Sequence, residues 1–220
     1  LLPSMLPELP GFGLSGGWQS AREIGGDFYD AVALSDESIL LMMTDVMGKG
    51  VPAALFATHV RGILRGLSVR TEDPAQLLNR LNRLLYAELS AVGMFVTALV
   101  VVVDLKARRL TAASAGHCPP LFIPEGQKQV ISLATQGIPL GILSDAVYQS
   151  ESRTMGNPGL LLLHTDGLTE ACNPAGEMFG QQRLMAWLRD NTLPGRSATE
   201  LRGRLLAELD HFRGGNAMAD

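Results

Sequence analysis

The sequence predicts an α+β fold, an αββα sandwich in which two packed antiparallel β-sheets are flanked by helices. Three observations carry that expectation. Strands, two helices, more strands and closing helices follow one another in blocks, without the regular strand–helix alternation that builds parallel sheets. Met94–Asp104 is an unbroken apolar, β-branched run, and Arg109–Ala115 follows it after a short turn, the pattern of a hairpin buried on both faces. The helical stretches before that hairpin each gather their apolar residues on one face, as helices laid on a sheet do.

Taken in order, the opening segment LLPSMLPELPGFG (1–13) is rich in Pro and Gly and reads as a linker from an upstream regulatory region, with the domain proper at 14–220. Strand-like runs follow at Leu14–Ser20, Asp27–Leu34 and Ser38–Asp45. A helix over Pro52–Val69 places Phe56, Val60, Ile63, Leu64 and Leu67 on one face. The next helix begins at Asp73-Pro74, with Asp as N-cap, Pro at the first helical position and Gln76 behind it. Its stripe is Leu77, Leu78, Leu81, Leu84, Leu85 and Leu89. The stripes read as core-facing; a homodimer or a switch built on them is the rival use. Shorter strands are expected at Pro120–Ile123, Gln129–Leu133, Val147–Thr154 and Gly159–His164, and helices at Gln181–Arg189 and Ala198–Phe212.

Composition narrows the function. With 46% hydrophobic and 18% charged residues the chain can bury a sizeable core. A net charge of -4 without a Lys/Arg cluster argues against nucleic acid as partner. The longest apolar stretch falls well short of the roughly twenty residues that span a bilayer, and no secretory signal pattern opens the sequence. Cys118 and Cys172 lie far apart, outside any metal-ligand spacing, and read as reduced thiols of a cytoplasmic protein.

Three aspartates each sit where a strand meets a glycine-rich turn: Gly25-Gly26-Asp27, Thr44-Asp45-Val46-Met47-Gly48 and Thr165-Asp166-Gly167. Any one of them alone reads as a turn residue. Three at the mouths of apolar strands point instead to converging carboxylates, which repel unless cations sit between them. Oxygen ligands without a His/Cys cluster suit Mg²⁺ or Mn²⁺ rather than zinc.

Four motifs in order, AREIGGDFYD, TDVMGKG, SAGHCPPL and HTDGLTEA, resemble the type 2C metal-dependent protein phosphatases (the PPM family). Within them the likeness is to the bacterial branch of the RsbU and stage II sporulation protein E phosphatases. It implies a serine/threonine protein phosphatase that uses two divalent cations, Mn²⁺ or Mg²⁺, to activate water. Asp45 would bridge the cations, Asp27 and the Val46 backbone carbonyl would complete one site, and Asp166 would bind the other. The family's last ligand opens a final Asp-Asp pair and strand; Asp220 stands at that place, and the closing strand is expected beyond it. Arg22 has the spacing of a phosphate-binding arginine. The resemblance also implies a STAS-type anti-sigma-factor antagonist as phosphoprotein substrate, partner-switching signalling, and an upstream sensory or receiver domain. A phosphatase-like regulatory module of weak or no activity is the alternative.

His117, in SAGHCPPL, reads as a hydrogen-bonded turn residue, with contact to substrate as the sharper role. Lys49 and Glu170 read as solvated or capping residues beside the motifs. Gly11, Gly13 and Gly16 satisfy G-x-G-x-x-G, but they follow a proline-rich segment instead of a strand. Ser15 sits in a formal G-x-S-x-G, with Asp166 and His211 in hydrolase order, yet no strand leads into it.

Overall fold

A computed structural model describes residues 3, 5–19, 25–68, 73–133, 137–156, 159–192 and 195–215. β1 (Phe28–Ser35) and β2 (Ser38–Val46) form a hairpin, followed by α1 (Val51–Ser68) and α2 (Pro74–Ala91). β3 (Val96–Asp104) and β4 (Arg109–Ala115) make a second hairpin. Shorter strands follow as β5 (Leu121–Pro124), β6 (Ile131–Ser132), β7 (Glu151–Thr154) and β8 (Gly159–Leu162). α3 (Asp166–Thr169), α4 (Gly180–Asn191) and α5 (Ala198–Phe212) complete the described elements. One sheet has the order β1-β2-β3-β4-β7 and the other β6-β5-β8, with every named pair antiparallel.

Side-chain parity sorts the core into three layers, as a two-faced strand requires. Leu40, Met42, Val46, Val96, Val100 and Val102 face α1 and α2. Their neighbours Ile39, Leu41, Leu99, Val101 and Val103 face the other way, into a cluster that includes Phe122 and Leu161 from the second sheet and Leu163 just after β8. Leu121, Ile123, Leu160 and Leu162 turn outward to meet Leu184 and Leu188 of α4 and Leu205 and Leu209 of α5. Helix, sheet, sheet, helix is the predicted sandwich.

Two capping devices place the helices. The Asp73 carboxylate accepts the Ala75 N–H at 2.9 Å with Pro74 behind it, which starts α2 cleanly. Ser197 caps α5 by accepting the Glu200 N–H at 3.1 Å. On the helix side of the first sheet, the Asp30 carboxylate is fully buried and takes Arg61 Nε at 2.7 Å and Arg65 Nε at 2.5 Å, pinning α1 to β1.

The shorter strands differ from expectation. Residues 14–19 form no strand: the Tyr29 side chain lies against Gly16 and the Arg202 side chain against Gly17, and no strand among the described residues pairs with this stretch. Only Glu151–Thr154 of the expected Val147–Thr154 pairs with β4. The reason is that Asn79 of α2 captures the Tyr148 backbone, accepting its N–H at 3.0 Å and donating to its carbonyl at 3.3 Å. Leu9 of the opening segment is buried in the layer between the sheets, with Leu6, Phe12 and Leu14 packed beside it.

Candidate functional site

The inter-sheet layer changes character along its length. On β2 the residues facing it run Ile39, Leu41, Met43 and Asp45; on β3, read back from its far end, they run Val103, Val101, Leu99 and Thr97. Asp45 pairs directly with Thr97, and their side chains share a face. One end of a dry layer therefore opens into a polar mouth whose first carboxylate is held by two paired strands.

Asp27 reaches the same mouth from the residue before β1. Its carboxyl and that of Asp45 lie close enough to share a hydrogen bond. Burial drives the Asp45 carboxyl up to about 7, and the negative charges of Asp27 and Asp166 add to the effect. Burial also raises Asp27, with the Asp166 charge adding and hydrogen bonds with Asp45 and Thr165 offsetting part of it. The Val46 carbonyl stands at the back: a Cβ on Gly26 would lie 2.7 Å from its oxygen. Only a residue without a side chain lets the Asp27 segment come this near. Facing half-buried carboxylates beside a carbonyl repel one another and are ready for a positive partner. An all-oxygen donor set of this kind fits a hard divalent cation.

Asp166 arrives on a different element, at the start of α3 after β8. Its side chain is exposed, and its charge is felt at both Asp27 and Asp45. Thr165 precedes it and, instead of capping α3 with its side chain, reaches towards Asp27. The three predicted aspartates thus share one mouth, the first two in contact and the third within electrostatic range. Among the described residues no three His, Cys, Asp or Glu side chains close into a preformed cage. Arg22 and Asp220 lie outside the described residues.

Other residues singled out from the sequence fall around this mouth. Lys49 is exposed on the loop after β2, and the Glu170 N–H closes α3 on the Asp166 carbonyl at 2.8 Å. Cys118 is half-buried; burial pushes its thiol up to about 11, and the charges of Asp166, Glu170 and Asp45 contribute. His117 is buried, and its Nδ1 shares a 2.8 Å hydrogen bond with Thr97 Oγ1. Thr97, His164 and Asp30 carry no signal that sequence reasoning picked out. Thr97 becomes visible only through its register opposite Asp45.

The family model for stage II sporulation protein E (SpoIIE) matches residues 35–220. Protein IcfG of Synechocystis sp. (strain PCC 6803) is 30% identical over 216 residues, covering 86% of this chain and 34% of that protein. Phosphoserine phosphatase RsbU of Bacillus subtilis (strain 168) is 31% identical over 150 residues, covering 68% of this chain and 44% of RsbU. The chain therefore spans less than half the length of either curated relative. Among solved structures, the SiaA-PP2C domain of Pseudomonas aeruginosa superposes with a TM-score of 0.80 at 26% identity, covering 92% of this chain and 80% of that one. The matched span takes in β2, the Asp45 turn, the His117 turn and the Asp166 turn, so two of the three aspartates of the mouth come within it, while Asp27 and most of β1 lie just before it. The chain belongs to the stage II sporulation protein E family, the bacterial RsbU/SpoIIE branch of the metal-dependent type 2C protein serine/threonine phosphatases.

Proposed function

We propose that this chain hydrolyses phosphoserine or phosphothreonine on a protein at the mouth formed by Asp27, Asp45 and Asp166. The observation that carries the reading is the contact between the half-buried Asp27 and Asp45 carboxyls beside the Val46 carbonyl. Asp45 would serve two divalent cations, Mn²⁺ or Mg²⁺; Asp27 and the Val46 carbonyl would complete one site, and Asp166, with Asp220, the other. Bound there, such cations lower the pKa of water and offset charge on a transferring phosphoryl group. The protein's own part is positional. Paired strands hold Asp45, Gly26 admits the Val46 carbonyl, and the β8–α3 turn presents Asp166 at the rim, where a substrate loop can enter. Arg22 is assigned to the substrate phosphate.

The substrate class follows the same reading: a STAS-type anti-sigma-factor antagonist in a partner-switching pathway, with an upstream sensory or receiver domain setting activity. The test is Mn²⁺-dependent phosphate release from a phosphoserine STAS-type protein by wild type and by Asp45→Ala. Turnover that needs the metal and disappears in the variant is expected. Absent turnover with intact Mn²⁺ binding would favour a regulatory module, and absence of both would remove the metal reading.

A further inference from the structure

Asp45 lies on a strand of one sheet and Asp166 opens the short helix that follows a strand of the other, so something must hold β2 and the β8–α3 turn at a working separation. We propose that His117 is a positioning residue that does this, acting on the Asp45 strand end through Thr97. The inference rests on the metal reading above and deepens it.

The turn carrying His117 is itself rigid. Ser114 Oγ donates to the His117 carbonyl at 3.0 Å and accepts the His117 N–H at 3.0 Å, so the backbone of this residue is tied at both ends. Gly116 takes a left-handed φ of 71°, with the Pro139 ring packed against it, and forms a parallel bridge to Ala98 on β3. The bridge brings the His117 turn against the β3 edge near Thr97. The ring then spends Nδ1 on Thr97 Oγ1, the residue paired with Asp45. Its other neighbour is His164, two residues before Asp166: the His117 ring lies within reach of the His164 backbone and feels the His164 ring. His164 in turn hydrogen-bonds the Thr165 carbonyl through Nδ1 at 3.0 Å. Both imidazoles are buried, and their Nε2 atoms find no well-formed partner within the described residues. An acid or base that met substrate would need access and a proton exchangeable near neutral pH. This ring has neither, since burial first and His164 second bring it down to about 4. Its chemistry is that of a neutral spacer touching both ligand-bearing supports.

The test measures Mn²⁺ affinity by calorimetric titration, with urea stability in chelator in parallel. The proteins are wild type, Thr97→Val, His117→Ala, His117→Asn and the Thr97→Val/His117→Ala pair. Groups that orient metal ligands cost about 10–100-fold in metal affinity when removed. Thr97→Val, which keeps the strand's shape, and His117→Ala are each expected to weaken Mn²⁺ binding about tenfold. The pair should be no weaker than His117→Ala alone, and His117→Asn, whose amide can meet Thr97, should regain most of the loss. Unchanged affinity in Thr97→Val and His117→Ala, or losses that add as independent sites, would overturn the inference. If His117→Ala does not fold, Thr97→Val decides alone. Wild type that fails to bind Mn²⁺ would overturn the metal reading and this inference with it, whereas normal wild-type binding with unaffected variants would overturn this inference only.

Discussion

Replacing Asp30 by Ala removes the acceptor on which α1 is anchored to β1. The Asp30 side chain is 0% exposed and holds Arg61 Nε at 2.7 Å, Arg65 Nε at 2.5 Å, Arg65 Nη2 at 2.8 Å and the Ala31 N–H at 2.9 Å. Breaking a buried ion pair from one side costs about 3–5 kcal/mol, because the surviving charge stays desolvated. Here the survivors escape in part, since the Arg61 and Arg65 side chains are already 24% and 49% exposed. The lower end, about 3 kcal/mol, is therefore expected. For a domain of this size that is a fall in Tm of roughly 6–12 °C. Arg61→Ala or Arg65→Ala alone should cost less, about 1.5–3 kcal/mol, because Asp30 keeps the other guanidinium.

The pH dependence supplies a second handle on the same group. Burial by itself would raise the Asp30 carboxyl, but the hydrogen bonds from Arg65, Arg61 and the Ala31 N–H outweigh it and hold the group below its ordinary 3.8. A depressed folded pKa means stability that is fully present above 3.8 and lost as pH falls through the lower, folded value. The assay is urea unfolding of wild type and Asp30→Ala across pH, taking the difference so that other carboxylates cancel. A gap that is flat between about pH 5 and 8 and narrows below about 3.8 is expected. A gap under about 1 kcal/mol at neutral pH, or one that persists undiminished in acid, would refute the reasoning.

Gly26→Ala sets a methyl 2.7 Å from the Val46 oxygen and 3.1 Å from the Ala53 side chain. Overpacking of this kind costs about 1–3 kcal/mol, and the displaced carbonyl should weaken Mn²⁺ binding beyond any change in urea stability. Equal affinity in wild type and variant would remove Val46 from the site. Cys118, held protonated by burial and the neighbouring carboxylates, should react with iodoacetamide far more slowly at neutral pH than exposed Cys172. Its rate should climb as pH approaches about 11, which mass-resolved labelling of the two sites would follow. Comparable rates at neutral pH would contradict the burial of that thiol.

Much of the fold was legible because its signals are local. The Asp73-Pro74 start, the Leu77–Leu89 stripe and the unbroken run into Asp104 each announce an element within one window, and α5 falls on Ala198–Phe212 as expected. The expected strand over 14–19 and the first half of the expected Val147–Thr154 strand did not form, for the opposite reason. Tyr29 and Arg202 pack on Gly16 and Gly17 of the first, and Asn79 takes the Tyr148 backbone from the second. Tertiary partners override propensity where the chain is short and the competing contact is good.

The aspartate mouth divides along the same line. Asp27, Asp45 and Asp166 stood out from the sequence because a carboxylate between an apolar strand and a glycine is a local pattern. Which face each occupies is not local, for a shift of one residue in register would turn Asp45 towards the helices. The pairing of Asp45 with Thr97, the reach of His117 to that threonine, and the capture of Asp30 by Arg61 and Arg65 all join residues distant in the chain. By itself the sequence determined an α+β sandwich and the chemistry at its strand ends, since periodicity and residue type suffice for both. Only the tertiary structure decided which of those groups meet, because register and layer packing are settled by burying the whole core at once.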